Sequence, residues 1–172
     1  MAADFFLYSK RSGERKGRRS IVATASMLGF VVAFWLVLRL HLGVFPLRGS
    51  LVKTLMIIGT GMVIVGAVVN IWGRLLLRAN WANQIRIYDD HELKTRGPYA
   101  FVRHPLYASI ILMLIGGSLI YRNWFALLLT MIIFTPAMVY RARQEEMLLE
   151  KELSGYGDYM RRTGMLFPRF GR

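Results

Sequence analysis

The chain has 172 residues, 55% of them hydrophobic, and a formal net charge of +13; this suits one domain or a small bundle of membrane helices, not two domains with separate cores. High hydrophobicity beside strong charge excludes both an ordinary soluble domain and a disordered basic tail, and the lack of cysteine excludes disulfides, thiolate-bound zinc, a thiol nucleophile and S-acylation. The cations flank long apolar runs instead of forming a stripe interleaved with aromatics, so anionic membrane lipids, and no nucleic acid, are the expected charged partner.

Residues 1–20 carry Lys10, Arg11, Arg15, Lys16, Arg18 and Arg19 with little apolar periodicity, and read as a basic cytoplasmic arm. Residues 21–38 hold no charge and approach the ~20 residues that a bilayer core of about 30 Å requires, which makes them a first span. Arg39 and His41 follow directly, where a cleavable signal would show small residues, so the span is expected to be retained. Residues 41–50, with Gly43, Pro46 and Gly49, read as a turn, and 51–72 as a second span broken only by Lys53 and Asn70. Gly59, Gly66 and Gly73 recur every seven residues and mark a face on which another backbone approaches closely. Residues 21–72 thus read as a two-helix scaffold.

Beyond Gly73 the chain turns polar up to His104, a membrane-proximal loop with a short interfacial helix expected near residues 75–81. Pro105 suits a first helical turn, because its missing amide costs nothing there, and the apolar stretch behind it is a third span. Tyr121, Arg122, Asn123 and Trp124 interrupt it before a fourth span at 125–139, so spans three and four form a tight hairpin. Pro136 is expected to kink the fourth span and open a cavity. Trp72, Trp81 and Trp124 suit the lipid interface. Nearly all Lys and Arg fall in the arm, the central loop and the tail, and all 10 acidic residues lie on that same side. The positive-inside rule then predicts an all-α, multi-pass integral membrane protein of about four transmembrane helices. Both termini are cytoplasmic, and a carboxy-terminal helical hairpin carries a cytoplasmic catalytic loop and tail.

Two clusters carry chemistry. Gly97, Pro98, Tyr99, Arg103, His104, Pro105 and Tyr107 precede span three, while Arg141, Arg143, Glu145 and Glu146 follow span four. An up-and-down excursion returns both to one membrane boundary, where they converge on a polar pocket roofed by apolar helices. The bland alternative is a solvated helix exit, with Arg141 paired to Glu145 at the i, i+4 spacing. The three histidines show no metal-ligand spacing, so no metal is expected.

The run from His91 to Tyr107, HELKTRGPYAFVRHPLY, resembles the signature of isoprenylcysteine carboxyl methyltransferases and related phospholipid methyltransferases. Glu145 and Glu146 resemble the family's paired glutamates, and Tyr156, Tyr159, Arg161, Arg162 and Pro168 its pattern of tyrosines, basic residues and a late proline. The resemblance covers about residues 81–169; a departure is Ser109, where the family often has glycine. It implies methyl transfer from S-adenosylmethionine, entering from the cytosol, to a lipophilic acceptor entering from the bilayer, with residues 73–172 as the methyltransferase core. Such a cofactor wants acidic acceptors, a cationic partner and apolar walls. The resemblance assigns His104, Tyr107, the backbone near Pro105, Glu145 and Glu146 to it, and Arg103 offers a further cation. A carboxylate acceptor needs an arginine to hold it, for which Arg143, Arg161 and Arg162 are candidates; an amine needs a base, either a glutamate such as Glu146 or a histidine. Tyr156 and Tyr159 are candidate acceptor contacts together with Arg162, or else interfacial aromatics. The rival readings are a sterol-reductase-like enzyme using NADPH and a non-catalytic lipid-binding scaffold. The sequence leaves the oligomeric state open.

Overall fold

The computed structural model describes residues 14–17, 21–77, 86–88, 93 and 95–169. Its packed body is helical: α1 (Ile21–Arg39), α2 (Ser50–Leu77), α3 (Pro105–Ile120), α4 (Trp124–Glu152) and a short α5 (Tyr156–Arg162). The sequence reading did not anticipate a small ladder in which β1 (Glu14–Gly17) pairs antiparallel with β2 (Arg86–Tyr88). That ladder joins part of the basic arm to the central loop by backbone pairing, which needs no apolar pattern and so leaves no mark in composition.

At 28 residues, α2 runs about 42 Å, longer than a bilayer core of about 30 Å. It passes the boundary expected after Trp72, so Leu75 belongs to its last turns; the rest of the expected interfacial helix, including Trp81, lies outside the described residues. Both α2 and α4 are long and apolar enough to cross a membrane, while α3 is apolar but shorter.

The most extensive helix pairing is α2 with α3, not the anticipated hairpin of α3 with α4. Glycine explains it. Gly59, Gly66 and Gly73 are all buried against α3: a Cβ on Gly59 would sit 2.5 Å from the Gly116 carbonyl oxygen, and one on Gly66 2.6 Å from Met113 Cγ. One turn along the same face, Asn70 Nδ2 donates to Ser109 Oγ at 2.8 Å. The α4 helix meets α3 through its first turns and the Leu129–Phe134 stretch, and α1 joins them through Phe30, which packs on Phe134 with ring centroids 4.5 Å apart beside Ile111 and Met138.

On the side away from the charged clusters, two connections lock together. Phe45 N donates to the Arg122 carbonyl at 2.9 Å and Trp124 N to the Gly43 carbonyl at 3.1 Å. Asn123, fully buried, caps α4 by accepting from Ala126 N at 2.9 Å. Trp72 and Trp124 are both exposed.

The consequence of Pro136 is a change of helical register. Residues Leu129–Phe134 are π-helical, and the Thr130 carbonyl receives both the amide of Thr135 and its hydroxyl, the latter at 2.9 Å. A proline offers no N–H to the preceding turn, and a π-bulge with a threonine hydroxyl redistributes the carbonyls left over.

Candidate active site

The two clusters meet at one end of the bundle. Gly97 opens the first with a φ of +61°, packed beneath Leu76 and Trp72, and starts a 3-10 turn (Gly97–Ala100) that buries Pro98 and Tyr99. Pro105 begins α3 and disfavours helical geometry in the residue before it, so His104 leaves the helical conformation, with its imidazole turned to partners other than a cap. Glu145 and Glu146 sit on the final turns of α4, which carry them to the same level.

Arg103 Nε donates to Glu146 Oε1 at 2.6 Å, and His104 Nε2 lies 3.2 Å from that same oxygen. His104 Nδ1 faces Glu145 Oε2 at 3.5 Å. The Tyr107 hydroxyl donates to Glu145 Oε1, which Arg141 Nε also approaches at 3.5 Å. The imidazole stacks on the Tyr107 ring, with centroids 5.5 Å apart and planes 7° off parallel, and the Arg141 guanidinium lies over that ring's vicinity at 5.9 Å. Burial alone would push the His104 imidazole toward neutrality. Hydrogen bonding to Glu145 and Glu146 outweighs it and raises the His104 pKa above its ordinary 6.5.

The glutamates differ in exposure. The Glu146 side chain is 7% exposed and the Glu145 side chain 21%. Glu146 is thus the inner counter-ion for Arg103 and His104, while Glu145 retains an open side. Arg141 does pair with Glu145 as the bland reading supposed, but within a cluster that also contains His104 and Tyr107.

The tail covers this cluster. Arg103 N donates to the Gly164 carbonyl at 2.8 Å and His104 N to the Met165 carbonyl at 3.0 Å, so the tail, as a strap of residues 160–165, runs alongside residues 102–104. Tyr159 donates its hydroxyl to the Tyr99 carbonyl at 2.6 Å. Tyr156 and Tyr159 are buried, edge to face at 5.8 Å, which corrects the interfacial-belt alternative: they pack inward under the strap. Burial, partly countered by Arg103, pushes the Tyr159 hydroxyl up to about 12.

The remaining expected arginines stand apart. Arg143 is exposed, one position round from buried Ala142; Arg161 pairs with exposed Asp158; Arg162 is exposed. None of the three enters the buried cluster. Sequence reasoning gave no role to the Tyr99 hydroxyl, which is buried and lacks a hydrogen-bond partner among the described residues. Burial, with Tyr159 and Glu145 nearby, holds its pKa well above the ordinary tyrosine value. Nor did it assign Asn70, although a lone amide within an apolar span is itself a signal of a buried partner.

A bundle of long apolar helices with acid, imidazole and phenol groups gathered at one end has the architecture of an integral membrane enzyme. Residues 57–151, more than half of the chain, match the model of the isoprenylcysteine carboxyl methyltransferase family. The chain belongs to that family, whose members are integral membrane methyltransferases. The structure of the eukaryotic intramembrane Ras methyltransferase, isoprenylcysteine carboxyl methyltransferase, is similar with a TM-score of 0.60 and 26% identity, covering 88% of this chain and 53% of that one. The nickel-cobalt-cadmium resistance protein NccN of Alcaligenes xylosoxydans xylosoxydans is 36% identical over 81 residues, 45% of this chain and 37% of that protein. The protein YpbQ of Bacillus subtilis (strain 168) is 30% identical over 84 residues, 49% of this chain and 50% of that protein. The chain therefore matches half or less of the length of these two relatives.

Proposed function

We propose that the chain is a multi-pass membrane methyltransferase that uses S-adenosylmethionine and acts on a lipophilic acceptor. In this reading four helices span the bilayer with both termini cytoplasmic, in accord with the distribution of Lys and Arg. Family membership supports the reaction class. The observation that carries the site is the union of His104 with both Glu145 and Glu146 at the polar end of the bundle.

The residues present fit such a cofactor. Glu145 offers a carboxylate with an open side to a cationic ligand, the buried Tyr99 hydroxyl has no hydrogen-bond partner among the described residues, and α2 and α3 supply apolar walls. We assign its binding to His104, Tyr107, Glu145, Glu146 and the backbone at Pro105, with Arg103 behind them. When bound, the cofactor supplies an activated methyl group. The chain's own contribution is to align the acceptor and exclude water, which is how a group transfer without a covalent intermediate is accelerated. For a carboxylate acceptor, the exposed Arg143, Arg161 and Arg162 are candidate cations; for an amine, Glu146 is the nearest buried base to His104. Tyr156 and Tyr159 line the strap that the acceptor would pass.

Titration of the purified protein in lipid nanodiscs with S-adenosylmethionine and with NADPH tests this reading. Binding of the first alone is expected. Selectivity for NADPH would make the chain a reductase, and binding of neither would leave a lipid-binding scaffold. Transfer of a radiolabelled methyl group to fractionated membrane lipids and prenylcysteine analogues then identifies the acceptor.

A further inference from the structure

Arg103 is a heavily committed cation of the cluster. Its side chain is only 9% exposed. The Nε edge faces Glu146, and Nη1 donates to two main-chain carbonyls, Met160 at 3.0 Å and Thr163. Those carbonyls lie in and just beyond the last turn of α5, where a helix leaves acceptors unsatisfied and its dipole favours a cation. The guanidinium therefore sits between α4 and the tail with its fork turned toward protein acceptors.

The tail is tied down on both sides of that point. Before it, the Tyr159 hydroxyl reaches the Tyr99 carbonyl, and Thr163 Oγ1 donates to the Tyr159 carbonyl at 2.6 Å. After it, residues 164 and 165 accept from the backbone of Arg103 and His104, and Leu166 enters the core cluster with Ile111, Phe134 and Met138. Glu146 Oε1 is the hinge of the arrangement, since Arg103 and His104 share it.

We infer that Arg103 is a positioning residue: it fastens the strap formed by residues 160–165 to Glu146, and through that oxygen fixes where His104 stands. The inference rests on the cluster being a cofactor site, and it separates the residues that meet the ligand from the one that holds them. Without Arg103, Glu146 keeps His104 as a partner but loses its anchor to the strap, and the α5 carbonyls lose their donor.

The test uses three variants of the full chain in nanodiscs. Arg103→Gln removes the fork. Tyr159→Phe loosens the strap gently and leaves Arg103 in place. Gly164→Ala displaces the strap, because a Cβ there would collide with the Phe167 carbonyl oxygen. Equilibrium dialysis with S-adenosylmethionine reports Kd and the number of binding sites separately, and the rate of tryptic cleavage after Arg161 and Arg162 reports the strap. The expected result is a Kd raised by roughly tenfold or more for Arg103→Gln, as for loss of a charged hydrogen bond, by a comparable factor for Gly164→Ala, and by a few-fold for Tyr159→Phe, as for loss of a neutral one. Cleavage should accelerate in the same order at unchanged stoichiometry. Weakened binding of Arg103→Gln with the strap still protected would make Arg103 a direct ligand and overturn the inference. So would a released strap with unaltered Kd, or a loss of sites with Kd unchanged, which is what simple destabilisation produces. If the unaltered protein binds no S-adenosylmethionine, the cofactor reading falls and takes this inference with it; failure in the variants alone sinks only the inference.

Discussion

The backbones of Gly59 and Gly116 touch: a Cβ on Gly59 would lie 2.5 Å from the Gly116 carbonyl oxygen, and one on Gly116 2.6 Å from that of Gly59. Two helices that close have no room for a methyl group. Gly59→Ala and Gly116→Ala should each destabilise the bundle by about 1–3 kcal/mol, the usual cost of overpacking. Gly61 and Gly117, with open space where a Cβ would go, provide the contrast: alanine there should be neutral or stabilising by about 0.4–1 kcal/mol. Unfolding in mixed micelles by a denaturing detergent reads all four. Equal losses at the open and closed positions would refute a packing origin.

Asn70 and Ser109 form a second link on that seam. A double-mutant cycle of Asn70→Ala and Ser109→Ala should show a coupling of about 0.6 kcal/mol, typical of hydrogen bonds between membrane helices. Strict additivity would mean that the contact contributes nothing net. Ser109 also donates to the Leu106 carbonyl at 2.8 Å, so its hydroxyl is held within the seam.

The raised His104 pKa makes part of the stability depend on pH. A histidine whose folded pKa lies above the unfolded 6.5 adds stability that is fully present below pH 6.5 and is lost as pH rises through the folded value. The difference in unfolding free energy between the unaltered protein and His104→Gln should therefore be largest in mildly acidic solution and shrink above pH 6.5. A difference that grows with pH would reverse the assigned direction.

Glu145 and Glu146 should respond differently to loss of charge. Glu146→Ala leaves Arg103 nearly buried without its carboxylate, and breaking such a pair costs about 3–5 kcal/mol. Glu145→Gln retains an oxygen for the Tyr107 hydroxyl, so the fold should survive while S-adenosylmethionine affinity drops by roughly tenfold, the loss of one charged hydrogen bond. Thermal unfolding and equilibrium dialysis separate the two outcomes; unchanged affinity in Glu145→Gln would remove it from the cofactor site.

Arg143 and Arg162 are exposed, so alanine at either should alter stability by no more than about 0.5 kcal/mol. If they hold an anionic acceptor, acceptor KM rises while cofactor affinity stays constant. Unaltered acceptor kinetics in both variants would exclude them from that role.

Much of the fold was legible before any coordinates. Helices begin at Ile21 and Pro105, a turn falls at Asn123, and the seven-residue glycine spacing on α2 becomes the seam against α3. These features are local: apolar run length, a proline at a first turn, and a period that repeats along one face. The ladder between β1 and β2 was not legible, because backbone pairing leaves no apolar pattern to read. The path of α2 beyond Trp72 was hidden for a related reason, since helices continue wherever their neighbours satisfy them, and Gly73 finds Leu106 and Tyr99 there.

For the site, the sequence by itself determined that a basic, histidine-bearing stretch and a pair of glutamates return to the same end of an apolar excursion. Only the tertiary structure decided which charges meet. Arg103 is buried between Glu146 and the α5 carbonyls, whereas Arg143, Arg161 and Arg162 face outward, although all are arginines near the same boundary. The physical reason is that a charge can leave water only where several partners converge on it, and those partners come from segments more than forty residues apart, as Arg103 and Glu146 do.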